Sequence, residues 1–119
     1  MSTLKDLIIA AAAQPELVDG DTPHKEAVIG VIEAVNSGSL RVAQPDENAP
    51  DGWKINGWVQ QAINLYFRVA KMEPIESGHL AWFDKIPPRT DHAERGLRAV
   101  PTALVRDGAS VEPGAALMP

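Results

Sequence analysis

Leu4, Leu7, Ile8 and Ala11 fall on one face of a helix, and Thr3 with Asp6 three residues on forms a capping-box start that Pro15 closes. After the polar DGD turn, Thr22 and Pro23 read as a cap and a first helical residue. Ala27, Val28, Val31, Ile32 and Val35 make the next apolar stripe, ended by Gly38. LRVAQ (40–44) and WKI (53–55) are short β-prone runs around PDENAPDG, a stretch of turn formers, which predicts a hairpin with a long loop. Asn56 is placed to cap a third helix in which Gln60, Gln61, Asn64 and Arg68 share one narrow arc. Trp58, Val59, Ala62, Ile63, Leu65, Tyr66 and Val69 cover the rest, so that helix is expected to be buried around most of its circumference at the centre of the core.

From Met72 the periodicity weakens. MEPIESGHLAWFDKIPP has room for one or two short extended pieces, and DHAERG for a single helical turn ended by Gly96. Beyond Gly96 a six-residue period takes over: Ala103, Ala109 and Ala115; Val105, Val111 and Leu117; Gly108 and Gly114. A left-handed parallel β-helix needs such a period, because six residues carry the chain along one face of a triangular prism and round a corner. One aliphatic residue per hexad then points inward, a small residue sits two positions earlier, and Gly or Pro eases the bend. The alternative is a loop that alternates small and aliphatic residues. The fold class expected is α+β: a mainly helical N-terminal domain with a small β-hairpin over residues 1–98, then the first coil of a left-handed β-helix over 99–119. A lone coil leaves its strand edges unpaired, and solenoids need about three repeats, so the sequence is expected to be the truncated part of a longer protein.

Composition narrows the chemistry. The net charge is −5, and the eleven Lys and Arg are scattered, so no basic stripe is present to neutralise a nucleic-acid backbone. There is no cysteine, which removes disulfides and thiolate chemistry. The opening MSTLKDLIIAAAAQPE is read as a mature helix rather than a leader because Asp6 interrupts it, and no run approaches the roughly 18 apolar residues of a membrane span. His24, His79 and His92 stand far apart with no ligand spacing, so no metal site is expected. No catalytic nucleophile motif or phosphate-cradling loop occurs. Trp53, Trp58, Trp82, Tyr66, Phe67 and Phe83 are read as packing residues, with lining of a binding site by Trp82 and Phe83 as the second reading.

Four segments, SGSLRVAQ (37–44), WVQQAINLYFR (58–68), WFDKIPPR (82–89) and GLRAVPTALVRDGASVEPGAALMP (96–119), together resemble the N-terminal part of the tetrahydrodipicolinate N-succinyltransferases in order and spacing. The resemblance implies a cytoplasmic enzyme of diaminopimelate and lysine biosynthesis that moves succinyl from succinyl-CoA to the amine of ring-opened tetrahydrodipicolinate. It implies homotrimers of prisms, a catalytic aspartate beyond Pro119 and therefore no catalytic residue within these 119. Succinyl-CoA would be a co-substrate, with no bound cofactor on this part. One substrate-binding residue is carried over, Arg98 of GLRAVP, and a guanidinium suits a dicarboxylate because it offers a rigid two-pronged donor. Gln60 and Gln61 stand where paired lysines are common, and Leu97 where an aromatic is. Two other readings are a stand-alone binding or regulatory module and another acyltransferase of the same architecture, such as one acylating sugar nucleotides.

Overall fold

In the computed structural model, which describes residues 3–119, the three apolar stripes become α1 (Leu4–Ala13), α2 (Pro23–Ser37) and α3 (Gly57–Val69), each packed against the other two. α1 starts on the expected reciprocal box. The Asp6 N–H donates to Thr3 Oγ1 at 3.1 Å and the Thr3 N–H donates to the Asp6 carboxylate at 3.3 Å, satisfying donors that have no partner inside the helix. Pro15 stops α1 and opens a 3-10 helix, Pro15–Val18, which buries Val18. α2 starts at Pro23 with the Lys25 N–H on Thr22 Oγ1, and ends at Gly38, whose φ of +85° would strain any residue with a Cβ.

One cluster fills the space between the helices: Ile8, Ala11, Val18, Ala27, Val28, Val31, Val35, Val59, Ala62 and Leu65. α2 buries five residues and α3 three, so the centre of the core lies on α2 rather than on α3 as the sequence pattern suggested. The reason is packing geometry. Two helical neighbours cover only part of α3, so Trp58, Ile63, Tyr66 and Val69 stay half-buried and Phe67 is exposed. Asn56 also departs from expectation. It occupies the N-cap position without capping α3; its Nδ2 donates instead to the Arg41 carbonyl at 2.8 Å and to Gln44 Oε1 at 2.9 Å. Those acceptors belong to the approach to the first hairpin and the hairpin itself, so the amide ties it to the helix entry.

That hairpin is antiparallel, β1 (Ala43–Pro45) with β2 (Trp53–Ile55). A second antiparallel hairpin, β3 (Glu73–Ser77) with β4 (Leu80–Asp84), forms in the weakly patterned region, with Ile75 opposite Trp82. Residues 92–96 make the expected turn, closed by Gly96 at φ +71°.

The last segment pairs with its own beginning. β5 (Arg98–Ala99) runs parallel to β6 (Ala116–Leu117), with Arg98 opposite Ala116, eighteen residues on. Left-handed φ values recur at every sixth residue: Gly96 +71°, Thr102 +78°, Gly108 +95° and Gly114 +91°. Turn hydrogen bonds recur in step, from the N–H of Ala103 to Val100 O, of Ala109 to Arg106 O and of Ala115 to Glu112 O. Val105 is buried, Val111 and Leu117 are half-buried, and Leu104 and Met118 are exposed. This is one parallel contact. No stacked β-helix is formed among the described residues, because a second coil is required before strands can pair rung upon rung. The fold is a small α+β arrangement of three helices with short strand pairs.

Candidate functional site

The segment after β4 holds the polar centre of the molecule. Two prolines keep residues 87–88 extended, and this stretch lies antiparallel to residues 105–107, with the Arg89 N–H on Val105 O at 2.6 Å and the Asp107 N–H on Pro87 O at 3.1 Å. The Arg89 side chain is buried to 9% exposure. Its Nη1 donates to Ala109 O at 3.0 Å and its Nη2 to both oxygens of Asp91, at 2.9 and 3.1 Å. Arg95 donates through Nε to Asp91 and through Nη1 to Asn36 O at 2.7 Å. The hydrogen bonds from Arg89, and then those from Arg95, hold the Asp91 carboxyl well below the usual carboxylate range.

Asp107 stands at the centre of a second network. It accepts from Tyr66 Oη at 2.6 Å and from Asn36 Nδ2 at 2.5 Å, while Asn36 Oδ1 accepts the Gly108 N–H at 2.7 Å. Burial, and then the hydrogen bond to and charge of Asp107, push the Tyr66 phenol above its ordinary value. These groups border a cleft of about 580 Å³ between α2, α3 and the 87–95 segment. Its two arginines face carboxylates and carbonyls already supplied by the protein. The arrangement fastens the six-residue-period segment to the helices; it leaves little guanidinium capacity for a bound anion.

Arg98 has the opposite character. It lies on β5 with its side chain exposed, and among the described residues it makes no side-chain hydrogen bond or ion pair. Its exposed guanidinium has the planar two-pronged donor geometry that grips a carboxylate through two parallel hydrogen bonds. Trp82 lines an apolar recess of about 120 Å³ with Ile75, Ile86, Pro88 and Leu104, at whose edge Arg106 bonds Asp84 at 3.4 Å.

The aromatic residues divide, which corrects their reading as packing. Trp58 and Tyr66 pack on the core; Trp53, Trp82 and Phe83 are exposed, by 65% for Phe83, because two-stranded hairpins bury neither face unless something covers them, and Phe67 is exposed on the uncovered side of α3. Arg98 is not among the residues that line the recess with Trp82. The histidines are dispersed, and no group of three His, Cys, Asp or Glu stands at metal-holding distance among the described residues. No helix among them is long and apolar enough to cross a membrane. Asn36 and Asp107 escaped the sequence reading, and Tyr66 is read there only as a packing residue. Asp107–Gly108 at a corner of the six-residue period was the one local signal available.

Comparison with known proteins matches residues 3–69, more than half of the chain, to the family model described as tetrahydrodipicolinate N-succinyltransferase N-terminal. Curated relatives carry the name 2,3,4,5-tetrahydropyridine-2,6-dicarboxylate N-succinyltransferase. That of Methylobacterium sp. (strain 4-46) is 44% identical over 82% of this chain and 37% of its own length. That of Beijerinckia indica is 36% identical over 97% of this chain and 45% of its own, and that of Coxiella burnetii 33% identical over 99% and 45%. The chain thus spans less than half the length of these relatives.

Proposed function

Since the chain belongs to the tetrahydrodipicolinate N-succinyltransferase family, we propose that it is the N-terminal part of an acyltransferase that moves succinyl from succinyl-CoA to the amine of ring-opened tetrahydrodipicolinate. The observation that carries this reading beyond family membership is the recurrence of left-handed φ at 96, 102, 108 and 114 together with parallel pairing eighteen residues apart. Three corners and a return to register are what the first coil of a left-handed parallel β-helix requires, and they support a helical domain ending near residue 98 with the coil over 99–119.

In the reaction the neutral amine attacks the thioester carbonyl carbon. A C–N bond forms, the C–S bond breaks, the thiolate of CoA leaves, and a carboxylate outside these 119 residues takes the amine proton. Arg98 holds one carboxylate of the dicarboxylate acceptor, supported by its exposure and by its making no side-chain hydrogen bond or ion pair among the described residues. The chain alone does not turn over. The full-length protein is a cytoplasmic homotrimer with clefts between neighbouring subunits.

The test is a chimera in which this chain replaces the matching N-terminal segment of a relative. It is expected to release free thiol from succinyl-CoA only with tetrahydrodipicolinate present, and Arg98→Ala is expected to lower kcat/KM for the acceptor by about 10- to 100-fold, the worth of a charged hydrogen-bonded pair. Turnover by the 119-residue chain itself would contradict the assignment of proton removal to a residue elsewhere. An inactive chimera whose isolated N-terminal chain binds dicarboxylates through Arg98 would favour the stand-alone binding module.

A further inference from the structure

Asn36, near the C-terminal end of α2, hydrogen-bonds to both ends of the segment that carries Arg98. Its main-chain carbonyl accepts from Arg95 Nη1 at 2.7 Å, three residues before Arg98. Its side-chain amide donates to Asp107 Oδ1 at 2.5 Å and accepts the Gly108 N–H at 2.7 Å, beyond the far end. Between these points the Arg98 and Val100 N–H groups donate to Ala115 O and Leu117 O, both at 3.0 Å. The segment is therefore gripped at its two ends by one residue and along one edge by its own return strand.

The chemistry at position 36 is selective. The neighbouring groups present a carboxylate oxygen and an N–H, so the side chain must offer one donor and one acceptor from a short planar group. Asparagine does so, an aspartate would set two carboxylates against each other, and a leucine would leave Asp107 short of a partner.

We propose that Asn36 is a positioning residue for Arg98: by strapping residues 95–108 into a closed loop on α2, it fixes the strand from which the Arg98 guanidinium reaches a substrate carboxylate. This rests on the reading of Arg98 given above. A long side chain on a wandering strand must be ordered when the ligand arrives, whereas one on a fixed strand has only its own rotamers to lose. Asn36 itself touches no substrate.

The test uses Asn36→Asp, Asn36→Leu and the exchanged pair Asn36→Asp with Asp107→Asn. In the exchanged pair the carboxylate at 36 accepts from Gly108 and from the amide at 107, whose oxygen still accepts from Tyr66. In the 119-residue chain, each single variant is expected to speed amide exchange at Arg98, Val100 and Gly108 about tenfold while Val59 and Leu65 stay protected, and the exchanged pair to restore it. In the chimera, Asn36→Asp is expected to raise KM for tetrahydrodipicolinate about tenfold with kcat and the KM for succinyl-CoA little changed, again restored by the exchange.

Uniform loss of protection that includes Val59, or faster exchange at Arg98 with an unchanged acceptor KM, overturns the proposal. If Asn36→Leu fails to fold, the near-isosteric Asn36→Asp and its exchanged partner still decide. Arg98→Ala with an unchanged acceptor KM sinks the reading of Arg98 and this proposal with it, whereas a raised KM there with Asn36→Asp silent sinks this proposal alone.

Discussion

Thr102 adopts φ +78° at a corner where the preceding and following members of the series, Gly96 and Gly108, are glycines. The turn is closed by the Ala103 N–H on Val100 O at 2.8 Å, with Pro101 at its second position and Thr102 at the third, which in this geometry needs a positive φ. A β-branched residue there is strained by about 1–2 kcal/mol, partly offset in a glycine variant by the larger entropy of its unfolded chain. Thr102→Gly is expected to gain about 1 kcal/mol net, read as a higher urea midpoint at unchanged slope. Tyr66 makes the opposite kind of prediction. Its folded pKa is raised, so the stability it contributes is complete below the ordinary phenol value of about 10 and is lost as pH climbs from there through the folded value. It is the only tyrosine, so phenolate absorbance reports it alone. That absorbance is expected to grow together with loss of helical circular dichroism, and Tyr66→Phe to remove the alkaline fall in stability. Neither residue was legible as special in the sequence. A threonine hides the period that glycine announces at 108 and 114, and the partner of Tyr66 lies 41 residues away, outside any local pattern.

At the scale of elements, caps and stripes were legible because they depend on spacings of three and four residues. Thr3–Asp6, Thr22–Pro23 and Gly38 all act at the expected places. The burial of α3 was not, since an apolar side chain says that it prefers cover and not whether a neighbour supplies it. The contrast is measurable. Ile8 is fully buried between the helices, so Ile8→Ala is expected to cost about 2–5 kcal/mol. Phe67 is an equally apolar residue of α3 but is 43% exposed, with Arg106 over its ring at 5.8 Å. Phe67→Ala is expected to cost about 1 kcal/mol or less. Equal losses for the two in chemical denaturation would mean that Phe67 is covered in solution. The second hairpin was only faintly legible, because its strands alternate no clear inner and outer face. The exposure of Trp82 and Phe83 is the structural form of that same ambiguity.

Across the whole molecule, two devices of different range hold the parts together. The helices associate through a dry core that the sequence announced; the final segment is fastened by polar pairs, Asn36 with Asp107, Tyr66 with Asp107 and Arg41 with Glu112, that no local reading could join. The candidate site divides in the same way. Arg98 was found through resemblance and is exposed as its proposed role requires, while the groups that set its strand emerge only from the fold. The return of the chain to register after eighteen residues also limits how this segment can change in length. Adding or removing a single residue would rotate every later corner away from its proper edge and turn inward side chains to water. Whole circuits are the natural unit of gain or loss, so divergence here should proceed by substitution within a fixed count, or by jumps of one complete winding.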